Sequence, residues 1–338
     1  MKDSERAAAR PRPEELERAI LGEDPAYTAA DVAAETGVTI DQAQRLWRAL
    51  GFPDRGLEVA FTHADVEAVS ILVRQVEGGQ IDFDMAVTLT RAVGQTMARL
   101  ADWEVATLVH RVQEIEAGDK ATGSRATTGL HLIEQLNEPF EQLLVYVWRR
   151  HLAAAVARVE GLGGDMAADT ADATDLRTTQ MTVGFADIVG FTELSNELTQ
   201  SRLGDLVELF ESRCSDVVAS QHGRVIKTLG DAVLFVNDDP IRAFDTAEGI
   251  IAVVGRDGRM PDVRVGLASG SVVLRLGDVF GPPVNLASRL TAVARRNRVI
   301  VDPTTAALLP PDQFETRPLP ARPVRGFGLL EPVAVRRH

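Results

Sequence analysis

The stretch MTVGFADIVGF, residues 181–191, is an apolar β-type run that ends in the carboxylate Asp187 and then turns. Further β-type runs follow it, namely RVIKT at 224–228, AVLFVN at 232–237 and VRVGLASGSVVL at 263–274. Segments with helical spacing of apolar residues lie between and after these runs, at 200–220, 240–254 and 284–296. Strands interleaved with helices predict an α/β or α+β sandwich.

Two carboxylates stand where neighbouring strands would end. Asp187 closes the first run, and Asp231 lies in the Leu229-Gly230-Asp231 turn between the next two. A strand end and a neighbouring hairpin tip can converge on one spot, and paired oxygen ligands suit Mg²⁺ or Mn²⁺ held against phosphate. Taken singly, each aspartate is more often an ordinary turn residue, so the pair alone leaves both interpretations open.

The segment from Ile188 to Thr192, which includes Phe191, enters a helix directly after Asp187. Backbone N–H groups at a helix N-terminus form a natural cradle for phosphate. The alternative is an ordinary helix cap without a ligand.

Asn285 and Arg289 lie in the run VNLASRL, and their spacing of four places them on one face of a helix. An arginine there can stabilise charge that builds on a phosphate, and an asparagine can orient a sugar. For residues of these types, a solvated polar face is the commoner explanation.

Together, the runs ADIVGFT, IKTLGDAVLF, VRVGLASGSV and GDVFGPPVNLASRL resemble the class III adenylate and guanylate cyclase catalytic domain. The resemblance covers residues 178–338, about half of the chain, and its motifs occur in the family's order with approximately the family's spacings. It implies a catalytic domain at 179–338 of the α+β class, with a ferredoxin-like βαββαβ core.

The resemblance carries roles over to individual residues. Asp187 and Asp231 match the two metal-binding aspartates, and Ile188 matches the position whose backbone carbonyl also reaches a metal. Lys227 matches the lysine that selects the base, and Asp278 in GDVFG matches its acidic partner. Two Mg²⁺ or Mn²⁺ ions in each active site are therefore implied.

The remaining roles concern the sugar and the phosphates. Asn285 and Arg289 match the transition-state pair, and Arg264 in VRVG matches an arginine that contacts phosphate. Arg325 in VRGFG resembles a basic residue that holds the terminal phosphates, although the family often has a second Lys or Arg where Phe327 stands here.

Adenylate cyclase activity is what the resemblance implies: ATP would be converted to 3′,5′-cyclic AMP and pyrophosphate. Asp278 can accept from the adenine N6 amino group and Lys227 can donate to N1, whereas guanine offers the reverse pattern. Mismatched polar groups in a closed site can discriminate by about 10⁴ or more. Guanylate cyclase activity is the alternative. The family's site lies between two catalytic domains, and this chain has both residue sets in one domain, so a homodimer is implied.

The composition argues against some binding partners and some cellular locations. The net charge of −13 argues against a chain built to bind nucleic acid or an anionic membrane. A single cysteine excludes an intramolecular disulfide framework. The sequence shows neither an apolar stretch of bilayer-spanning length nor a signal-peptide core, so a cytoplasmic location is expected.

The N-terminal half, residues 1–160, has helical periodicity, and a Gly-, Ala- and Asp-rich segment at 161–178 indicates a linker. Helices are predicted to begin near Thr28, Thr39 and Thr62. A further long helix over Asp82–Ile115 is expected to break near Gly94. In the following segment, Pro139 is expected to start or kink a helix.

Two interpretations compete for this half. Residues 28–70 resemble a MerR-type helix-turn-helix, which predicts a DNA-binding or scaffold regulator with a degenerate cyclase domain. The region is acidic, however, and phosphate contact dominates DNA affinity. A regulatory domain without a nucleic-acid partner is therefore favoured. A proton acting on one of four histidines, or a fatty acyl chain on the apolar face at 136–151, would be its signal. The histidines are His63, His110, His131 and His151.

Overall fold

The computed structural model describes residues 13–163, 178–258, 260–275 and 277–338, and the chain divides into two compact units, Met1–Thr170 and Ala171–His338. Most of the predicted linker lies outside the described residues, and its first three positions belong to a helix. Among the described helices, none combines the length and apolar character that crossing a bilayer requires.

The described part of the first unit is built of helices, as predicted. They are α1 (Pro13–Leu21), α2 (Ala29–Thr36), α3 (Ile40–Leu50), α4 (His63–Glu77), α5 (Phe83–Ala117) and α6 (Arg125–Gly163). The expected helix starts are confirmed, because Thr28, Thr39 and Thr62 are the N-cap residues of α2, α3 and α4. At Thr28 and Thr39 the side chain and the residue three positions later exchange hydrogen bonds, which satisfies N–H groups that the first turn leaves free.

The two long helices lack the expected interruptions. Helix α5 runs for 35 residues through Gly94, so the predicted break there is wrong. Gly94 instead allows α5 to lie against α3, since an added Cβ would be 2.3 Å from the Leu50 carbonyl oxygen. Helix α6 runs for 39 residues through the exposed Pro139, so no new helix starts there. A proline removes one backbone hydrogen bond, and the many remaining turns of α6 offset that loss.

The apolar core of the first unit forms among α2, α3, α4 and the start of α5. Its buried members are Ala29, Val32, Leu46, Ala49, Phe61, Val66, Val69 and Val87. Beyond this core, α5 and α6 keep large apolar side chains exposed, among them Trp103, Tyr146 and Trp148. The long helices therefore present apolar surface that the described residues of one chain do not cover.

The second unit alternates strands with helices. Its first elements are β1 (Thr178–Ile188), α7 (Phe191–Glu197), α8 (Gln200–Ser220), β2 (Arg224–Thr228), β3 (Ala232–Asn237), α9 (Pro240–Gly255) and β4 (Val263–Arg275). They are followed by β5 (Asp278–Phe280), α10 (Pro282–Val293), β6 (Val299–Val301), α11 (Pro303–Leu308), β7 (Phe314–Pro318), β8 (Arg322–Val324), β9 (Gly328–Leu330) and β10 (Val333–Arg337).

The main sheet confirms the ferredoxin-like core. Its strand order is β2-β3-β1-β4-β6-β10-β7, with β5 paired to β4. The first four strands are antiparallel, and α8 and α9 connect them in the order βαββαβ. Strand β6 joins β4 in parallel and extends the sheet beyond this core.

Apolar side chains of the central strands alternate between two cores. Ala186 and Ile188 of β1 pack with Phe210 of α8 and Phe244 of α9. On the opposite face, Met181, Val183 and Phe185 of β1 pack with Ala287 and Leu290 of α10. This period of two is the pattern of a strand buried on both faces, and it explains why the buried stretch from Met181 to Ala186 is almost continuously apolar.

Candidate active site

The two candidate metal-binding aspartates come from neighbouring strands. Asp187 of β1 is paired with Ala232 of β3, the residue directly after Asp231. The Ile188 N–H donates to the Asp231 carbonyl at 2.9 Å, which fixes the turn against the end of β1. Gly230, at φ 71°, supplies the left-handed conformation that this tight turn requires. The fold thus places the Asp231 turn beside the end of β1, where the Asp231 charge acts on the Asp187 carboxyl.

Arg264 also belongs to this group. It lies directly opposite Asp187 in the β1–β4 register. Its Nε donates to Asp187 Oδ2 at 2.7 Å, and its Nη2 lies 2.6 Å from the same oxygen. A third donor, Nη1, reaches the Ala292 carbonyl of α10 at 3.1 Å. The arginine therefore bridges the candidate metal carboxylate and the last turn of α10.

Opposing influences act on the Asp187 carboxyl. Burial raises its pKa, the hydrogen bond and charge of Arg264 lower it, and the neighbouring Asp231 charge raises it again. The net direction of the pKa is upward, because burial outweighs the arginine. A bound divalent cation would offset both the burial of the Asp187 carboxylate and its repulsion by the Asp231 charge. Two hard oxygen donors side by side are the donor chemistry that a divalent cation such as Mg²⁺ prefers.

The turn after β1 offers fewer free backbone N–H groups for phosphate than the sequence suggested. Gly190 takes the left-handed conformation at φ 73°, and α7 begins at Phe191. The Ile188 and Val189 N–H groups already donate to the carbonyls of Asp231 and Asp262. The Phe191 side chain packs on the core and Thr192 is exposed, so these two residues at the start of α7 remain the candidates for phosphate contact.

Lys227 and Asp278 are in direct contact. Lys227 of β2 donates from Nζ to Asp278 Oδ2 of β5 at 2.6 Å, and both side chains remain about one-third exposed, at 34% and 29%. The Val279 N–H donates to the other Asp278 oxygen at 2.8 Å. Burial would raise the Asp278 pKa, but these two hydrogen bonds and the lysine charge outweigh it and lower the pKa. The carboxylate is thus held ionised as an acceptor.

Helix α10 holds Asn285 and Arg289 at the surface, and both side chains are exposed. The helix itself is fixed firmly: a Cβ at Gly266 of β4 would lie 2.4 Å from Thr291 N and 2.6 Å from the Ala287 carbonyl oxygen. Thr291 also donates from its hydroxyl to the Phe185 carbonyl of β1 at 3.1 Å. Within the described part of this chain, the structure shows no side-chain contact between the Asn285 and Arg289 pair and the two aspartates.

Arg325 is exposed in the turn between β8 and β9, away from any side-chain partner among the described residues. The structure therefore leaves it available but does not join it to the other candidate residues.

Asn297 is a supporting residue that sequence reasoning missed. Its Nδ2 donates to Asp262 at 2.6 Å, and its Oδ1 accepts from the Val263 N–H at 3.2 Å. The Asp262 carbonyl in turn holds the Val189 N–H beside the aspartates. The only sequence signal was an Asn suited to a left-handed position, here with φ 53°.

Comparison with known proteins gives matches along nearly the whole chain. Residues 174–334 match the family model described as the adenylate and guanylate cyclase catalytic domain, and residues 3–152 match the adenylate cyclase regulatory domain. An adenylate cyclase of Streptomyces coelicolor is 38% identical over 96% of this chain and 89% of its own length.

Two further proteins are similar to this chain. A pH-sensitive adenylate cyclase of Mycobacterium tuberculosis is 34% identical over 84% of this chain and 70% of its own length. The solved catalytic core of a rhodopsin-guanylyl cyclase with converted specificity, in complex with ATPαS, is 25% identical over 48% of this chain and 99% of its own, with a TM-score of 0.45.

Proposed function

Since this chain belongs to the class III adenylate and guanylate cyclase family, we propose that it is an adenylate cyclase that converts ATP to 3′,5′-cyclic AMP and pyrophosphate. The observation that carries the choice of ATP is the contact between Lys227 and Asp278. Asp278 is ionised and accepts from the adenine N6 amino group, and Lys227 donates to N1. Guanine offers an acceptor at O6 and a donor at N1, which leaves both side chains mismatched, and such a mismatch is heavily penalised in a closed site.

Asp187, Asp231 and the Ile188 carbonyl would hold two Mg²⁺ or Mn²⁺ ions. Such ions, when bound, lower the pKa of the ribose 3′-hydroxyl and neutralise the triphosphate. The side-chain chemistry fits, because both aspartates offer carboxylate oxygens and Asp231 is free of side-chain partners among the described residues.

The other candidate residues position and stabilise the reacting groups. Arg289 stabilises charge on the α-phosphoryl group while the ribose 3′-oxygen attacks it, and Asn285 orients the ribose. Arg264, Arg325 and the amides of Phe191 and Thr192 bind the phosphates. Three arginines around a triphosphate supply the local positive charge that a chain of net charge −13 otherwise lacks.

The active sites are shared between two copies of the chain. Asn285 and Arg289 are exposed and lack contact with the aspartates of their own chain among the described residues, which suits residues that serve a partner's site. The exposed apolar surface of α5 and α6 supports a stable association of copies as well. A homodimer would then carry two equivalent sites.

The first unit regulates this activity. Its signal is a proton or a fatty acid: a relative along most of the chain is a pH-sensitive enzyme, and His63, His110, His131 and His151 are all exposed to solvent. His110 lies 3.4 Å from Glu114 and His63 lies 3.7 Å from Glu67, so protonation of either would create an ion pair on its own helix. The exposed Trp148 and Leu152 of α6 offer surface for an acyl chain.

Turnover of ATP and of GTP by the purified full-length chain, each with Mg²⁺ and with Mn²⁺, tests the proposal. We expect cyclic AMP and pyrophosphate in equal amounts, and much slower turnover of GTP. Preferential formation of cyclic GMP would make the chain a guanylate cyclase. The matched variants are Asp231→Ala, which should abolish product, and Asp216→Ala, which removes an exposed aspartate of α8 and should not.

A further inference from the structure

Arg264 contacts a carboxylate oxygen that the proposed function needs for metal. We propose that in the nucleotide-free protein Arg264 occupies this oxygen of Asp187, so that a divalent cation gains it only after an anionic polyphosphate draws the guanidinium away. The inference rests on the proposed function and adds an order to it, in which the nucleotide's phosphates open the metal site.

The contact is specific in its geometry. Two donors of the guanidinium, Nε at 2.7 Å and Nη2 at 2.6 Å, converge on the single oxygen Oδ2 of Asp187. The register places the two residues directly opposite each other on antiparallel strands, and side chains paired in this way lie next to each other. Nη1 is held by the Ala292 carbonyl, which keeps the guanidinium in place.

The two aspartates consequently differ in what they offer a cation. Asp231 has a carboxylate without a hydrogen bond or ion pair among the described residues, whereas Asp187 shares its Oδ2 with a fixed positive charge. An arginine does not lose its proton in a protein, so it cannot make way by becoming neutral. The oxygen is freed only when the guanidinium moves.

A triphosphate is the ligand suited to move it. Guanidinium groups bind phosphate oxygens through two parallel N–H donors, and charge-assisted bonds of this kind are about twice as strong as neutral ones. Arg264 is partly exposed, with 29% of its side chain accessible, so it can exchange partners without unfolding the strand. Metal and nucleotide should therefore assist each other's binding, and the coupling is reciprocal.

The test measures Mn²⁺ binding to the nucleotide-free, full-length chain by electron paramagnetic resonance. We expect Arg264→Gln to bind Mn²⁺ more tightly than the wild type, by about 10-fold, a typical coupling between two ligands. Arg264→Lys keeps the charge but cannot place two donors on one oxygen, so a smaller gain is expected. The control is Arg242→Gln on α9, which removes the same charge beyond the far end of β3, about 17 Å along that strand.

A double variant locates the effect at Asp187. Adding Asp187→Asn to Arg264→Gln should abolish the gain, since the freed oxygen would no longer be a carboxylate. Equal Mn²⁺ affinity in the wild type and in both folded Arg264 variants, or a gain that persists with Asp187→Asn, would overturn the proposal. If Arg264→Gln fails to fold, as judged by circular dichroism, Arg264→Lys decides alone. Failure of ATP turnover with the expected Mn²⁺ affinities would count against the proposed function only.

Discussion

Lys227 donates to Asp278 at 2.6 Å, although the two residues are 51 positions apart in the chain. The contact joins β2 to β5, strands that are not neighbours in the main sheet. Under the proposed function, the base binds at this pair and competes with the contact for its hydrogen bonds. The energy of the pair therefore contributes both to the cost of binding and to the choice of base.

Lys227→Ala should lower kcat/KM for ATP by about 10²-fold or more and bring the ATP and GTP values closer together, because the donor to adenine N1 is lost. Steady-state kinetics with both nucleotides measure this. Lys120→Ala, which removes an exposed lysine between α5 and α6, is the matched control. Unchanged selectivity in Lys227→Ala would contradict the assigned role.

Asp278 should make stability depend on pH in a defined direction. Its folded pKa is lowered, so the stability it contributes is present above its unfolded pKa of about 3.9 and is lost as pH falls through the lower folded value. Asp278→Asn should therefore destabilise the protein at neutral pH, and the difference from the wild type should vanish in acid. Urea denaturation across this range checks it, and a difference that grows in acid would contradict it.

Asp187→Ala and Asn285→Ala should each be inactive, and a mixture of the two should recover part of the activity. One of the two shared sites in the mixed dimer would contain a full set of intact residues. Activity is measured after subunit exchange has been shown by native mass spectrometry of differently tagged chains. Persistent inactivity in exchanged dimers would mean that both residues act within one chain.

Residues 170–338 should differ from the full-length chain in specific activity and in pH profile between about pH 5.5 and 8, the range in which histidine titrates. A shared site is sensitive to displacement of its halves, since misplacement by about 1 Å can cost roughly 10²-fold in rate. Assays with and without a fatty acid compare the two possible signals. Identical profiles, with both forms dimeric, would make the first unit an interaction module.

Gly94→Ala should destabilise the first unit by about 1–3 kcal/mol, the usual cost of forcing an extra methyl group into a packed contact. The new Cβ would meet backbone atoms of Leu50, the nearest at 2.3 Å. Gly129→Ala on α6 is the control, since its Cβ would meet only a Val112 methyl group at 3.9 Å. That change should stabilise slightly, because alanine favours the helix. Equal effects at the two glycines would contradict the close α3–α5 contact.

The sequence predicted features that local chemistry decides. The threonines before α2, α3 and α4 predict helix starts, because the residue that completes each capping box lies only three positions later in the sequence. The break expected at Gly94 was wrong because the reason for that glycine is a partner helix, which no local pattern reveals. The contact between Arg264 and Asp187 joins residues 77 positions apart, and only strand register places them opposite each other. Motif order identified both residues but gave no sign that they touch.

The missing side chain of Gly266 has a consequence for how this enzyme can evolve. Because α10 lies flush on β4 and is tied to β1 through Thr291, the helix cannot slide over the strand that carries Asp187. Helix α10 and these strands are therefore packed as one block. In the proposed homodimer, control would therefore act on how two catalytic halves meet. A catalytic half controlled in this way could be joined to a different regulatory domain without a change in its own packing.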